Sequence, residues 1–262
     1  MNKKKYIIVR IFGGMGNQLW QYAFARSLSI KFKKKLILDI NFFKNSLIDF
    51  PKGDKFKFEL NQFNLNKEIL IEKNIYNYSY KFYKYFLRFL PKYFFSFFFK
   101  NQKKYEIENL VFEEKTFEQK LFKELSKKDF KTSYFLGYWQ NTKYFKNCFK
   151  LLKEELKPKI IKKNVFNFIT KIKRNDVAIH IRGGDMFVEK KYSHPTSEYY
   201  FKIIKFLEKK NNSLNYHIFT DDVKYAEIFL KKIKLKNYKI ISKIHNFSAI
   251  EEFYIMQHYK NF

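Results

Sequence analysis

YIIVRIFGGMGNQLWQYAFARSLSIKFKKKLILDI, Tyr6 to Ile40, decides the fold. Tyr6–Phe12 reads as a strand, and Gly13 to Asn17 as a tight loop. Gln18 to about Lys31 reads as a helix with Leu19, Tyr22, Ala23 and Leu28 facing inward. Leu36–Ile40 is the next strand. Together they form a βαβ unit, which implies a parallel sheet. The loop falls short of a dinucleotide fingerprint, because G-x-G-x-x-G needs a glycine at position 19, where Leu19 stands.

The second half repeats this rhythm. VAIHIRGGD, Val177 to Asp185, is a buried strand reaching Arg182 and ending in Gly183-Gly184, where the backbone turns without a side-chain penalty. A helix is expected from near Ser193 and Pro195, with Tyr200, Ile203, Ile204 and Leu207 on one apolar face. Tyr216–Thr220 is a strand ending at Asp221-Asp222, and Val223, Ala226, Phe229 and Leu230 mark the inward side of the helix that follows. Lys239–Ser242 reads as a further strand. Ser248 and Glu251 form a capping-box pattern that opens a last helix through His258. Between the halves, Phe56–Phe63 is an edge or loop element, Glu113–Lys131 a charged helical region and Ser133–Tyr138 a strand. The lysine-rich Lys150–Lys163, with Pro158 inside it, is the best linker. A chain of 262 residues then divides into two α/β domains, 1–155 and 156–262.

A formal charge of +29 suggests nucleic acid or an anionic surface as partner. Lys, Asn, Ile, Phe and Tyr are abundant together, however, while Ala, Gly, Pro and Arg are rare. That is a bias over the whole chain, whereas a nucleic-acid groove concentrates its cations. With no RRM, KH or zinc-finger pattern, no nucleic-acid partner is expected. The single cysteine, Cys148, excludes internal disulfides and a multi-cysteine zinc site, and a reducing cytoplasmic setting is the simplest account. The N-terminal MNKKKYIIVRIF reads as a first strand, not a signal peptide, and no apolar stretch approaches the ~20 residues of a membrane span. Ile75–Tyr105 is dominated by Tyr, Phe and Lys, with YFFSFFF at Tyr93–Phe99 between Lys92 and Lys100. Two readings stand: contact with an anionic membrane surface, or a helical pair burying its aromatics.

Scarcity marks the candidate site. The chain holds 54 Lys plus Arg, yet the arginines are only Arg10, Arg26, Arg88, Arg174 and Arg182. Arginine offers a fixed fork of donors for a carboxylate or phosphate that lysine cannot imitate, so Arg182, at a strand end, is the first candidate. Gly13, Gly14 and Gly16 would present backbone N–H groups at a helix N-terminus, a place for phosphate oxygens, with Asn17 adding an amide donor. The alternative is a tight turn with no ligand. With His180, Arg182 and Asp185 at the second strand end facing the same cleft, a diphosphate is the expected ligand. One of Asp221 and Asp222 is expected on a base or ribose, and Asp222 equally suits a helix cap. Neighbouring strand residues point to opposite sides, so the pair does not share an ion. His194, His217, His245 and His258 show no metal-ligand spacing, and no metal is expected.

Five motifs occur together: FGGMGNQLWQYAFA (Phe12–Ala25), GYWQNTKYF (Gly137–Phe145), HIRGGD (His180–Asp185), SEYY (Ser197–Tyr200) and FTDD (Phe219–Asp222). In order and spacing the chain resembles the bacterial α-1,2-fucosyltransferases of glycosyltransferase family 11 over nearly its whole length. The resemblance implies an α/β, GT-B-like pair of Rossmann-like domains with parallel sheets, the acceptor on the side of 1–155 and the GDP-sugar on 156–262. It implies GDP-fucose as donor, a metal-independent inverting transfer without cofactor, and a galactose-containing surface glycan as acceptor. An anionic membrane, its inner face in a bacterium, is the further surface such a chain would meet. By the same resemblance Arg182 contacts the donor diphosphate and Asn17 lies near the same phosphates or the sugar. Gly14, Gly16, Gln18, His180, Asp221 and Asp222 complete the expected donor site. Transfer passes through an oxocarbenium-like state in which the diphosphate gains negative charge, so a guanidinium fixed there stabilises the developing state. A carboxylate takes the acceptor proton, and Asp185 and Glu189 are both candidates by position. Two departures are visible. Gly183 stands where the family has a second arginine, and the chain stops at Phe262, before a Ser- and Trp-rich motif, so a shortened form is expected.

Overall fold

A computed structural model describes residues 5–44, 56–73, 75, 105, 107, 109–113, 132–183, 195–211 and 213–260. The aromatic-basic stretch between Ile75 and Tyr105, the charged region after Glu113, and Gly184, Asp185, Glu189 and His194 lie outside the described residues. The chain divides into two compact units, Met1–Lys157 and Pro158–Phe262.

The first unit opens with β1 (Tyr6–Arg10), α1 (Met15–Phe32) and β2 (Lys35–Asp39). With β3 (Leu70–Glu72), β4 (Asn109–Phe112) and β5 (Ser133–Leu136) they form an all-parallel sheet ordered β3-β2-β1-β5-β4. The chain moves from β1 to β2 and β3 on one side and returns on the other side as β4 and β5. The carboxyl ends of β1 and β5 therefore flank a topological switch point, where open α/β sheets bind ligands.

α1 starts at Met15, three residues before the sequence expectation; Tyr22, Ala23 and Leu28 are buried as expected, and the buried side extends beyond that stripe. Leu19 is half-buried, while Gln18 and Gln21 are 0 % exposed. The helix is enclosed along much of its circumference. Phe24 stacks on Trp139 at 4.0 Å between ring centroids and meets Phe135 edge-on. Further along, Tyr22 Oη donates to Glu155 Oε2 at 2.6 Å and Arg26 Nη2 to Glu155 Oε1 at 2.8 Å. Glu155 ends α2 (Phe149–Glu155), so the first six residues of the expected linker are helix, held by this buried cluster. Burial, with the Glu155 hydrogen bond, raises the Tyr22 pKa and keeps the phenol neutral.

Ile8, Ile37, Tyr134 and Leu136 pack with Phe12, Phe42 and Ile75 in a second buried layer. A charge pair is set into the sheet beside it. Arg10 and Asp39 are register partners on β1 and β2, 2 % and 0 % exposed. Asp39 accepts from Tyr134 Oη at 2.6 Å and from the Asn41 amide at 3.0 Å. Burial raises the Asp39 pKa, with Arg10 opposing.

The second unit runs α3 (Lys163–Ile169), β6 (Asp176–Ile181), α4 (Ser197–Lys210), β7 (Asn215–Thr220), α5 (Val223–Lys232), β8 (Tyr238–Ile240), α6 (Ile241–Ile244) and α7 (Ala249–Met256). Its sheet is parallel, ordered β6-β7-β8. Alternate strand residues feed two layers. Val177, Ile181, Tyr216 and Ile218 pack with Ile204 of α4 and Ala226, Phe229 and Leu230 of α5. Ala178 and Phe219 pack with Val165, Ile241 and Ile255. The α/β class with parallel sheets in both halves agrees with the sequence reading.

Several elements differ from expectation in this unit. α4 begins at Ser197, where Thr196 Oγ1 accepts the Tyr199 amide at 3.3 Å, and Ile203 faces outward. The strand expected over Lys239–Ser242 stops at Ile240. From Ile241 the chain is helical, because Ile241 is buried in the layer with Phe219 and Ser242 Oγ accepts the Thr220 amide at 2.9 Å. The Ser248–Glu251 capping box forms as expected, although α7 ends at Met256.

Candidate functional site

Two clusters form, one in each unit, at the carboxyl ends of the strands. In the first, β1 runs through Ile11 and Phe12 into Gly13, whose φ of +76° is a left-handed value that favours glycine. A Cβ there would also stand 2.9 Å from Asn17 Nδ2. Gly14 is the N-cap of α1 with ordinary extended angles, and no side chain caps the helix. Gly16 has nothing within 4 Å of where a Cβ would be. Of the three glycines, only Gly13 is demanded by the fold.

Two buried glutamines hang this loop from the helix it precedes. Gln21 Oε1 accepts the Phe12 amide at 3.0 Å. Gln18 Nε2 donates to Gly13 O at 2.9 Å and to Lys57 O at 2.8 Å, while its Oε1 accepts the Glu59 amide at 2.9 Å. Both donors of the Gln18 amide are thus engaged in holding the loop, a structural use beside the expected place next to the ligand. The FKFEL segment, uninformative as sequence, supplies these partners.

Asn17, by contrast, is half-buried, and its Oδ1 accepts from Gln140 Nε2 at 2.9 Å. Gln140 was not among the residues singled out in the sequence. It is placed with care: Trp139 is 0 % exposed and adopts φ +58°, rare for a bulky residue, and the Asn141 amide donates back to Trp139 O at 2.8 Å. The buried indole anchors the loop after β5, and the left-handed turn sends Gln140 out to meet Asn17. Its signal in the sequence was position alone, just beyond a strand end.

In the second cluster, β6 and β7 end side by side, and Asp221 ties them. Its Oδ1 accepts the Gly183 amide at 2.7 Å and its Oδ2 lies 3.8 Å from Arg182 Nε. Asp221 therefore stands beside the guanidinium as its carboxylate neighbour. The Arg182 side chain is 52 % exposed. Gly183 is packed so tightly that a Cβ would stand 2.7 Å from the Asp222 Cβ and 2.8 Å from the Tyr225 ring, which leaves no room for an arginine here. Asp222 caps α5, accepting the Tyr225 amide at 3.0 Å. Both carboxylates thus hold the turn, Asp222 as the helix cap that the sequence suggested, and the Asp221 side chain remains 40 % exposed.

His180 lies exposed on β6, and its carbonyl accepts from Tyr200 Oη at 3.1 Å. Desolvation is the largest influence on its pKa and lowers it; Asp221 raises it and Arg182 lowers it further. The imidazole is thereby favoured in its neutral form. Of the other histidines, His217 Nδ1 lies 2.6 Å from Tyr259 Oη, His245 stacks on Phe247, and His258 Nδ1 is 2.9 Å from Tyr254 O. Among the described residues no group of three or more His, Cys, Asp or Glu side chains gathers as a metal site would require.

These are two all-parallel α/β units, each with a cluster of donors at its strand ends. No family model matches the chain. Among characterised proteins it is similar to an α-1,2-colitosyltransferase of Escherichia coli, 27 % identical over 233 residues that cover 87 % of this chain and 72 % of the relative. Among solved structures it is similar to the fucosyltransferase NodZ from Bradyrhizobium, with a TM-score of 0.45 and 11 % identity over 98 % of this chain and 82 % of that one. The NodZ α-1,6-fucosyltransferase soaked with GDP-fucose gives the same values, and the form co-crystallised with GDP gives 0.44 and 12 % over 91 % and 78 %.

Proposed function

We infer that this chain is a glycosyltransferase that takes a deoxy-hexose from a GDP-sugar and passes it, with inversion and without a metal, to the 2-hydroxyl of a galactose-type unit in a glycan. The observation that carries the reading is Arg182: an exposed guanidinium at the end of β6, beside Asp221 and backed by a glycine that admits no side chain. A guanidinium there matches the leaving diphosphate bidentately and stabilises the charge that develops as the glycosidic bond breaks. The uncapped N-terminus of α1, with Gly16 open beside it and Asn17 fixed by Gln140, is the second anion-attracting element. The five motifs and the colitosyltransferase relative point to the same reaction class.

Asp185 or Glu189 takes the acceptor proton in this reading, His180 stays neutral beside the leaving group, and the acceptor lies against the first unit. The relative favours one specific variant, transfer of colitose, which is fucose without its 3-hydroxyl. Incubating the full chain with GDP-fucose, the GDP form of colitose or UDP-galactose, together with a galactose-terminated oligosaccharide, tests both. The expected product carries an α-1,2-linked deoxy-sugar from one of the GDP donors, with or without EDTA. Transfer from UDP-galactose alone, or transfer abolished by EDTA, would overturn the reading.

A further inference from the structure

We propose that the outer face of α4 and α5 docks the protein on an anionic lipid bilayer. α4 is apolar on two sides. Tyr200, Ile204 and Leu207 face the sheet, and the same i, i+4, i+7 spacing one residue earlier places Tyr199, Ile203 and Phe206 outward, 53 %, 41 % and 57 % exposed. A helix on a water-facing surface needs only the first stripe. α5 lies on the same side of the sheet, with Phe229 against Tyr200 at 5.1 Å between ring centroids, and it exposes Ile228 at 69 %.

Lysines surround these apolar groups. Lys210 lies over the Phe206 ring at 4.3 Å, with Lys202 and Lys209 along the same exposed face and Lys224, Lys231 and Lys232 on α5. The acids are few and engaged: Glu198 pairs with Lys202, Glu208 with Lys205 and Glu227 with Lys243. Lys209, Lys210, Lys224 and Lys232 have no acidic partner among the described residues, and Lys231 is near Glu227, which Lys243 already holds. A surface helix pair with aromatic and aliphatic centres and lysine stems that reach outward fits lipid headgroups: the rings enter the interface and the ammonium groups meet phosphates. Nucleic acid would use the lysines but has no use for Ile203 and Ile228. No helix among the described residues is long and apolar enough to cross a membrane, so this would be contact from one side.

Co-sedimentation of the full chain with phosphatidylcholine vesicles and with phosphatidylcholine–phosphatidylglycerol vesicles tests the surface. Binding is expected only to the anionic vesicles and should weaken with added salt. Combining Ile203→Ser, Phe206→Ser and Ile228→Ser should lower partitioning by at least about tenfold. Combining Lys209→Ser, Lys210→Ser and Lys231→Ser should lower it by roughly a hundredfold. Both sets change exposed positions outside the strand-end clusters, so folding by circular dichroism and binding of GDP should be unchanged, and the docking surface is judged separately from the transfer reaction. Absence of vesicle binding overturns the proposal. So does binding that survives both sets, which would place the contact elsewhere, or a concentration-dependent dimer that the apolar set abolishes.

Discussion

Replacing Gln18 with alanine should unfold the first unit more readily, because this side chain is a structural staple. Gln18 is 0 % exposed and makes three hydrogen bonds, to Gly13 O at 2.9 Å, to Lys57 O at 2.8 Å and from the Glu59 amide at 2.9 Å. Each contributes about 1 kcal/mol net, and a buried group left without its partner costs about 1–3 kcal/mol more. The Gly13 carbonyl is the most enclosed of the three partners, whereas those at Lys57 and Glu59 are partly buried and regain water. The total is about 4–6 kcal/mol. For a domain of this size that corresponds to a fall of roughly 8–24 °C in midpoint, measurable by calorimetry or by circular dichroism. Gln18→Glu should lose at least as much, since a carboxylate would face two carbonyl oxygens with no proton to offer. If Gln18→Ala left the midpoint within about 1 °C of the parent but weakened GDP binding, Gln18 would be a ligand contact and the staple would be refuted.

Gly16→Ala meets nothing within 4 Å and should leave stability unchanged or raise it by up to ~1 kcal/mol. It should nevertheless weaken donor binding by at least about tenfold if a phosphate approaches this backbone, and unaltered affinity in a calorimetric titration would remove the loop from the site. Gln140→Ala frees the Asn17 amide without touching the core, so turnover should fall while the unfolding midpoint stays put; a lowered midpoint with normal turnover would make the contact purely structural. Burial lowers the pKa of His217, so over the pH range just below the ordinary histidine value the unfolded chain binds more protons than the folded one. Stability of the second unit should therefore fall as pH drops from 7 towards 5. His217→Asn should flatten that slope, and a midpoint independent of pH would contradict it.

Periodicity made the βαβ unit and most of the second unit legible, because strands buried on both faces and amphipathic helices such as α5 write their environment into residue spacing. In α1 the spacing marked Tyr22, Ala23 and Leu28 correctly but not the rest of the buried side: packed against Phe135, Trp139 and the Glu155 cluster, the helix also buries Gln18 and Gln21, which no apolar stripe records. Arginine scarcity pointed correctly to unusual demands but mixed two kinds. Arg10 is buried in register with Asp39, and Arg26 is held by Glu155, a structural use of the same fork that Arg182 offers at the strand end. The glycine cluster likewise mixed Gly13, which the turn requires, with Gly14 and Gly16, which it does not. Asp221's grip on Gly183 and Gln140's on Asn17 join residues 38 and 123 positions apart, and only the parallel register brings them together. Ile203 shows the limit of spacing arguments. Two stripes shifted by one residue both look apolar, and the sheet selects only one of them.

Calorimetric titration of the full chain and of Arg182→Lys with GDP, GDP-fucose and UDP-galactose, each with and without EDTA, tests the central claim most directly. The expected result is selective, EDTA-insensitive binding of the two guanine nucleotides, weakened at least about tenfold when Arg182 loses its fork. Equal binding of UDP-galactose, or unchanged affinity for GDP in the lysine variant, would contradict the assignment of the β6 strand end as the diphosphate site.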